Sequence, residues 1–216
     1  MSAVAVKQKT LSWEDAPPFG RRETLLHALH RLHELHPGPS LIVETGTLRN
    51  ESGSGLSGDG WSTVAWGWYA SQTNSRVVTV DINPDAMETC RRVTEPYSRY
   101  VEYVVSDSVA YLHSWLQCRR ERIELLYLDS FDYIDHERSE SHCLGEAEAA
   151  LPLLSEACLV LFDDTSPTGT QEDEFPVLTG KGKRAVPFLV SQGFAIESMA
   201  GGQILLSRHG SGGFTS

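Results

Sequence analysis

Cations are short in this chain: Lys and Arg together number 18 against 29 Asp and Glu, a formal net charge of −11 over 216 residues. That shortage argues against a protein whose main task is gripping a phosphate backbone, which takes clustered cations, though a small ligand can still be held by a local patch. Long apolar runs are missing too, since none approaches the roughly 18 residues a membrane span needs. The opening stretch MSAVAVKQKTLSWEDAPP lacks the long apolar core of a signal peptide. Cysteine is scarce. Cys90, Cys118, Cys143 and Cys158 lie far apart with no CxxC pair, so neither a disulfide scaffold nor a zinc cage is signalled, and they read as small core residues. No internal repeat occurs, and low complexity is confined to a Gly/Ser-rich segment at 52–60 and a tail at 209–216 that reads as frayed and flexible. These absences leave a soluble, cytoplasmic, single-domain protein as the expectation, with neither nucleic acid nor membrane among its partners.

What is present is an alternation. After the helical pattern ETLLHALHRLHELH, broken by Pro37-Gly38-Pro39, short apolar runs follow one another with helical segments between them. SLIVETGT, RVVTVDIN, VEYVVSD, IELLYLDS and ACLVLFDDT read as five strands. Helices are expected near WSTVAWGWYASQ, from Pro84 through Arg91, over SVAYLHSWLQC, near EAEAALPLL and over KGKRAVPFLVSQG. Near-continuous apolar strands alternating with helices describe a parallel sheet covered on both faces. FAIESMA and GQILLSR close the chain, and the two-residue Gly201-Gly202 turn between them permits only an antiparallel hairpin.

Acids mark the strand ends. Glu44, Asp81, Asp107, Asp129 and the pair Asp163-Asp164 fall where ligands bind in open α/β sheets, beyond the carboxyl ends of the strands. Any one of them alone could be a turn or cap residue. Five in succession repel one another unless a ligand or cation uses them. Asp81 is placed to accept both hydroxyls of a ribose, and Asp107 either to accept from an adenine amine or to cap the next helix. Gly46 lets the backbone approach a ligand closely. Asp129 and Asp163-Asp164 end neighbouring strands, and three converging carboxylates point to a divalent cation with oxygen ligands, Mg²⁺ or else Mn²⁺ or Ca²⁺, rather than zinc. The GxGxxG at Gly53–Gly58 begins too far beyond its strand for a dinucleotide fingerprint and reads as loop.

In order and spacing, ETGT, WSTVAWG, VVTVDIN, VSDS, LLYLDS and LVLFDDT resemble the successive motifs of class I S-adenosylmethionine-dependent methyltransferases. The resemblance covers residues 40–208 and is closest to small-molecule O-methyltransferases of the catechol O-methyltransferase-like and macrolide-sugar kind. It implies a Rossmann-like α/β fold: a seven-stranded, mainly parallel sheet with helices on both faces and a C-terminal antiparallel hairpin. It divides the chain into an N-terminal segment and helix (1–39), a methyltransferase domain (40–208) and the tail (209–216). It implies S-adenosylmethionine as cofactor, with Glu44 and Gly46 near its methionine moiety and Ser62 near the amino-acid end. Asp81 would then lie on the ribose, Asp107 near the adenine and Asp129 on the cofactor's border. In those relatives two aspartates and an asparagine hold a magnesium ion that gathers the acceptor oxygens; the positions here are Asp129, Asp163 and Asp164. The chain departs from them in an enlarged loop, LRNESGSGLSGD, before Gly60-Trp61-Ser62, which reads as a lid.

The remaining features are weighed against blander readings. His27, His30, His33 and His36 step by three and fan around a helix instead of converging on a metal. Trp61, Trp66, Trp68 and Trp115 read as core or cofactor-packing residues. Lys181, Lys183 and Arg184 read as a solvated face, while His136 and His142 follow the fourth strand, where a general base can stand. The expected function is methyl transfer to a hydroxyl of a small molecule, with Asp129 and His136 as catalytic candidates and a divalent metal assisting. Two alternatives stay open at this level: a non-catalytic module that binds the same cofactor, and a metal-dependent oxidative enzyme on a related fold. The acceptor has no readable code, and a homodimer is left open.

Overall fold

A computed structural model describes residues 11–51, 61–168 and 176–209. Residues 52–60 of the expected lid (48–60), the GxGxxG within it and the tail beyond residue 209 lie outside the described residues. Helix α1 (Arg22–Leu35) buries Leu25, Ala28, Leu29 and Leu32 on one face, as its apolar spacing requires. The parallel strands are β1 (Leu41–Thr45), β2 (Arg76–Asp81), β3 (Val101–Val105), β4 (Ile123–Leu128) and β5 (Leu154–Phe162). Between them run α2 (Ser62–Thr73), α3 (Pro84–Val93), α4 (Ser108–Cys118) and α5 (His136–Ala150). A short hairpin of β6 (Thr165–Thr168) and β7 (Val177–Gly180) precedes α6 (Ala185–Ser191) and the closing strands β8 (Ala195–Ala200) and β9 (Gln203–Arg208).

The sheet has seven strands in the order β3-β2-β1-β4-β5-β9-β8. β9 lies antiparallel to both its neighbours, β5 and β8, and the other described pairings of this sheet are parallel. Gly201 and Gly202, at φ 58° and 76°, make the left-handed turn that lets β9 fold back on β8. This is the Rossmann-like sheet with its reversed final strand.

The two-residue period of the strands sorts their side chains onto two cores. Val43, Val78, Leu126, Leu128 and Val160 pack with α4, α5 and α6 on one face. Ile42, Val77, Leu125, Tyr127 and Leu159 pack with α1 and α2 on the other. Trp66 and Trp115 are wholly buried, and Cys90, Cys143 and Cys158 are core residues, whereas Cys118 is exposed. Of the four histidines, three lie in α1 and His36 caps its end; they do not gather, for His30 stacks on Trp13 while His36 Nε2 lies 2.9 Å from the Ala157 carbonyl.

Two elements differ from the sequence reading. Helix α5 begins ten residues before EAEAALPLL, at His136, because the Asp135 carboxylate accepts from the Arg138 N–H and caps it there. The stretch KGKRAVPFLVSQG is not one helix: Lys181–Lys183 is a single 3₁₀ turn, and α6 starts only at Ala185. The β6–β7 pairing has no sequence signature, since its strands are four residues each and one contains Pro167.

Candidate active site

Strand β1 is the switch point of the sheet, for β2 follows it on one side and β4 lies on the other. A cleft of about 360 Å³ opens beyond the carboxyl ends of β1 to β5 at that place, as the rule for open α/β sheets requires. Gly46, Asp81, Asp107, Asp129, Asp163 and Asp164 all line it. Four strand ends, those of β2 to β5, thus deliver their acids to one cavity, and β1 contributes Gly46.

The half of the cleft nearer β2 is built to hold polar hydroxyls. The Asp81 carboxylate accepts from the Thr47 N–H at 3.0 Å through Oδ2 and from the Asn83 N–H at 2.7 Å through Oδ1. Each oxygen keeps a second lone pair, and the two backbone bonds fix the plane in which those point. Beside it Ile82 is 71% exposed although it lines the cavity, and Phe131, at 39%, is a second exposed apolar side chain of the lining. Asp107 does cap its helix: Oδ1 accepts from the Ala110 N–H at 2.8 Å while the residue still lines the cleft. His142 stands behind them, with Nε2 3.0 Å from Ser108 Oγ and 3.5 Å from Glu146 Oε1. The buried Glu146 carboxylate raises the His142 pKa, against the opposing pull of burial.

The other half holds the acids expected to bind a metal, and two cations stand among them. Lys181 Nζ donates to Asp129 Oδ1 at 2.8 Å and to the Asp129 carbonyl at 3.3 Å, and pairs with Asp164 Oδ2 at 3.1 Å. Arg21, from the turn before α1, pairs with Asp163 and places Nη2 2.9 Å from Asp164 Oδ1. Asp163 also accepts from Tyr127 Oη at 2.8 Å, from Gln203 Nε2 at 3.2 Å and from the Asp164 N–H at 2.7 Å. Five of the six carboxylate oxygens therefore have a donor at ordinary hydrogen-bond distance. The sixth, Asp129 Oδ2, lies 3.4 Å from the Tyr127 hydroxyl. Among the described residues no group of three His, Cys, Asp or Glu is placed to hold a metal ion. The donor set does not fit the divalent cation expected at Asp129, Asp163 and Asp164, because the oxygens that would ligate it serve protein donors.

Burial raises the Asp129 pKa even against the pull of Lys181. Burial also works against the charge on Lys181, but Asp129 and Asp164 outweigh it and hold the ammonium above its ordinary value. Asp164 is likewise disfavoured by burial, and Lys181 and Arg21 bring its carboxyl below the usual range.

Three other sequence candidates are not brought into the cavity. Glu44 is fully buried beneath it, accepting from Ser62 Oγ at 2.5 Å, Thr63 Oγ1 at 2.6 Å, Thr79 Oγ1 at 2.8 Å and Trp66 Nε1 at 3.0 Å. It ties the start of α2 to β1 and β2 and does not line the cleft, and Ser62 is spent on the same bond. Burial pushes the Glu44 carboxyl up to about 7, against the pull of those hydroxyls. His136 is exposed on the first turn of α5, stacked on Tyr133 with ring centroids 4.1 Å apart. It lies away from the cleft, where six residues further along the same helix His142 takes the place expected for it. Gly46 does line the cleft, and at φ +81° a Cβ there would stand 2.6 Å from the Asp129 carbonyl oxygen.

The residues that sequence reasoning missed are Arg21, Ile82, Phe131 and Lys181. Lys181 is 3% exposed, not part of a solvated face. Its signal was present but unread, since three carboxylates gathered at neighbouring strand ends need a cation and the chain supplies one directly after β7. Nothing local distinguishes Arg21, whose partners are 143 residues away.

No curated protein matches this chain in sequence. Among solved structures, the O-methyltransferase TomG from Streptomyces achromogenes, in complex with S-adenosylmethionine, superposes with a TM-score of 0.58 at 16% identity. The alignment covers 91% of this chain and 83% of that one. The O-methyltransferase from Bacillus cereus, in complex with S-adenosylhomocysteine, gives 0.57 at 17% identity, covering 90% and 85%. A Corynebacterium glutamicum protein gives 0.59 at 11%, covering 90% and 83%. Likeness at these identities establishes the shared fold. A methyltransferase domain model matches residues 57–165, which carry α2, β2 to β5 and most of the cleft. By that match, and with its strand-end acids gathered at the switch point of the sheet, the chain belongs to the methyltransferase domain family.

Proposed function

We propose that this protein is an S-adenosylmethionine-dependent methyltransferase that methylates a hydroxyl group of a small molecule. The observation that carries the reading is the Asp81 carboxylate, fixed by two backbone N–H groups at the end of β2 beside the exposed side chain of Ile82. A vicinal diol asks for a rigid two-oxygen acceptor, and a purine asks for a flat apolar wall; Ile82 and Phe131 provide that wall. Asp81 would hold the ribose, Asp107 would border the adenine, and Gly46 would line the path toward the methionine end. The cofactor supplies an electrophilic methyl group on a sulfonium, and the net negative rim of the cleft suits that positive centre. The hydroxyl as target draws support from the solved relatives named as O-methyltransferases, an argument from fold likeness.

The chain's own tasks are to orient the acceptor hydroxyl and to take its proton. Asp129 is the group for the second task. It lines the cleft, burial makes it more basic than an ordinary aspartate, and its Oδ2 is the one oxygen of the cluster without a close donor. Lys181 holds Oδ1 of the same carboxylate and so fixes the orientation of Oδ2. The acidity of the chain as a whole keeps long polyanions out of this reading.

Titration calorimetry with S-adenosylhomocysteine tests it. The wild type should bind one equivalent, and Asp81→Ala should weaken binding at least tenfold while the folded state persists. Absence of any binding by the wild type at millimolar concentration would overturn the assignment.

A further inference from the structure

Magnesium takes six oxygens at about 2.1 Å in near-octahedral geometry, several of them from water. The carboxylates at the ends of β4 and β5 instead meet an ammonium and a guanidinium from the chain itself. We infer that Lys181 and Arg21 are a built-in substitute for a divalent cation, so that the acceptor half of this cleft assembles without metal. The inference rests on the methyltransferase reading only for the chemistry the site serves.

Three observations carry it. Lys181 is 3% exposed, and all three of its ammonium hydrogens have an acceptor in Asp129 Oδ1, the Asp129 carbonyl and Asp164 Oδ2. An ammonium so satisfied is part of the interior, not a surface cation folded back. Its backbone is pinned as well: the Lys181 N–H donates to the Asp164 carbonyl at 3.0 Å, and the next N–H, of Gly182, donates to Thr165 Oγ1 at 2.8 Å. Gly180, just before it, sits at φ +100° where a Cβ would lie 1.8 Å from the Asp164 carbonyl oxygen, so this approach of the two chains is specific to glycine.

The second cation arrives from the other end of the sequence. Arg21 stands at φ 48°, and its carbonyl accepts from the Leu25 N–H and from Thr24 Oγ1, so the start of α1 holds its side chain over Asp163 and Asp164. Three carboxylates and two cations leave a single negative charge, which is the neutralisation that a divalent ion would give. Lys181 and Arg21 are in this sense positioning residues: they set the carboxylates that face the acceptor.

Manganese is the probe, read by electron paramagnetic resonance on purified protein treated with EDTA and freed of it. The wild type should show no bound Mn²⁺ up to about 1 mM, and its Tm should be the same with EDTA as with Mn²⁺. Removing both cations, in Arg21→Gln with Lys181→Met, should expose a carboxylate site and raise Mn²⁺ affinity at least tenfold. Lys181→Met alone, which keeps the side-chain volume, should give a smaller gain of the same sign. Stoichiometric, tight Mn²⁺ binding by the wild type, lost in Asp163→Asn, would overturn the inference, and so would folded variants that gain no affinity. If the variants do not fold, the wild-type titration and its Tm with and without EDTA still decide. S-adenosylhomocysteine calorimetry on the same wild-type sample separates the two readings, because nucleoside binding without Mn²⁺ binding upholds both, and loss of nucleoside binding fails only the earlier one.

Discussion

Among the described residues five other than glycine stand at positive φ, and three of them, Arg21, Phe131 and Asp164, line the cleft. Left-handed backbone costs an L-residue roughly 1–2 kcal/mol, and such residues persist where the surroundings over-determine them. At Phe131 the strained backbone lies beside an exposed ring that His142 and Arg138 flank. Phe131→Gly relieves the strain and removes the ring, so its effects separate. Stability by urea denaturation should change by no more than about 1 kcal/mol, because relief of strain offsets glycine's greater chain entropy. Affinity for S-adenosylhomocysteine should fall about tenfold, as lost stacking on a base is worth roughly 1–3 kcal/mol. Equal loss of both would make Phe131 a packing residue. At this scale the sequence was legible where a side chain has one use. Asp81 and Asp107 sit where strand ends place them, but Glu44, equally acidic, turned inward because α2 brings Ser62, Thr63 and Trp66 over it. No spacing rule distinguishes an acid pointing up from a strand end from one pointing sideways into a helix.

Among elements, the join of β1 with α2 has a titration of its own. Glu44 is wholly buried and its carboxyl is raised to about 7 from an ordinary 4.5, so the folded state holds this proton through a range in which the unfolded chain has released it. Stability from this group is then fully present below about pH 4.5 and falls as the pH rises to about 7, by about 3 kcal/mol in all. Thermal melts of wild type and Glu44→Gln across pH 4.5 to 7.5 should differ in slope, with the wild type declining more steeply and the variant flatter. Parallel profiles would show Glu44 to be ionised in the folded state throughout. Element order and the final hairpin were readable because apolar runs of five or six residues alternate with helical spacing and Gly201-Gly202 admits a single turn. The β6–β7 hairpin and the broken start of α6 were not, because both are set by contacts with Asp164 and Thr165 rather than by local propensity. The displaced start of α5 follows from one cap, Asp135, and decided which histidine reaches the cleft.

On the scale of the whole molecule, the latest strand in sequence among the described residues is an interior one. With β9 seated between β5 and β8, residues Cys158 to Phe162 have their outer hydrogen-bonding edge covered only by Ser207, Leu206 and their neighbours. A chain ending at residue 202 should therefore expose the apolar edge of β5 and self-associate, so size-exclusion chromatography is expected to show aggregate where the full chain elutes as a discrete species. A discrete, folded truncated chain would show that β5 tolerates an open edge. Gln203 adds to this, since its side chain on β9 reaches both Tyr127 and Asp163 inside the acid cluster. Arg21 meets the same Asp163 from near the opposite end of the chain. On the ribosome, α1 emerges long before the aspartates its arginine must pair with, and β9 leaves the exit tunnel after every other strand of its sheet. At synthesis rates of roughly 5–20 residues per second the nascent chain spends about 2–8 s between Asp163 and its partner Gln203. The cleft is consequently a late product of translation, and an arrested or prematurely released chain would carry the methyltransferase motifs without a finished pocket.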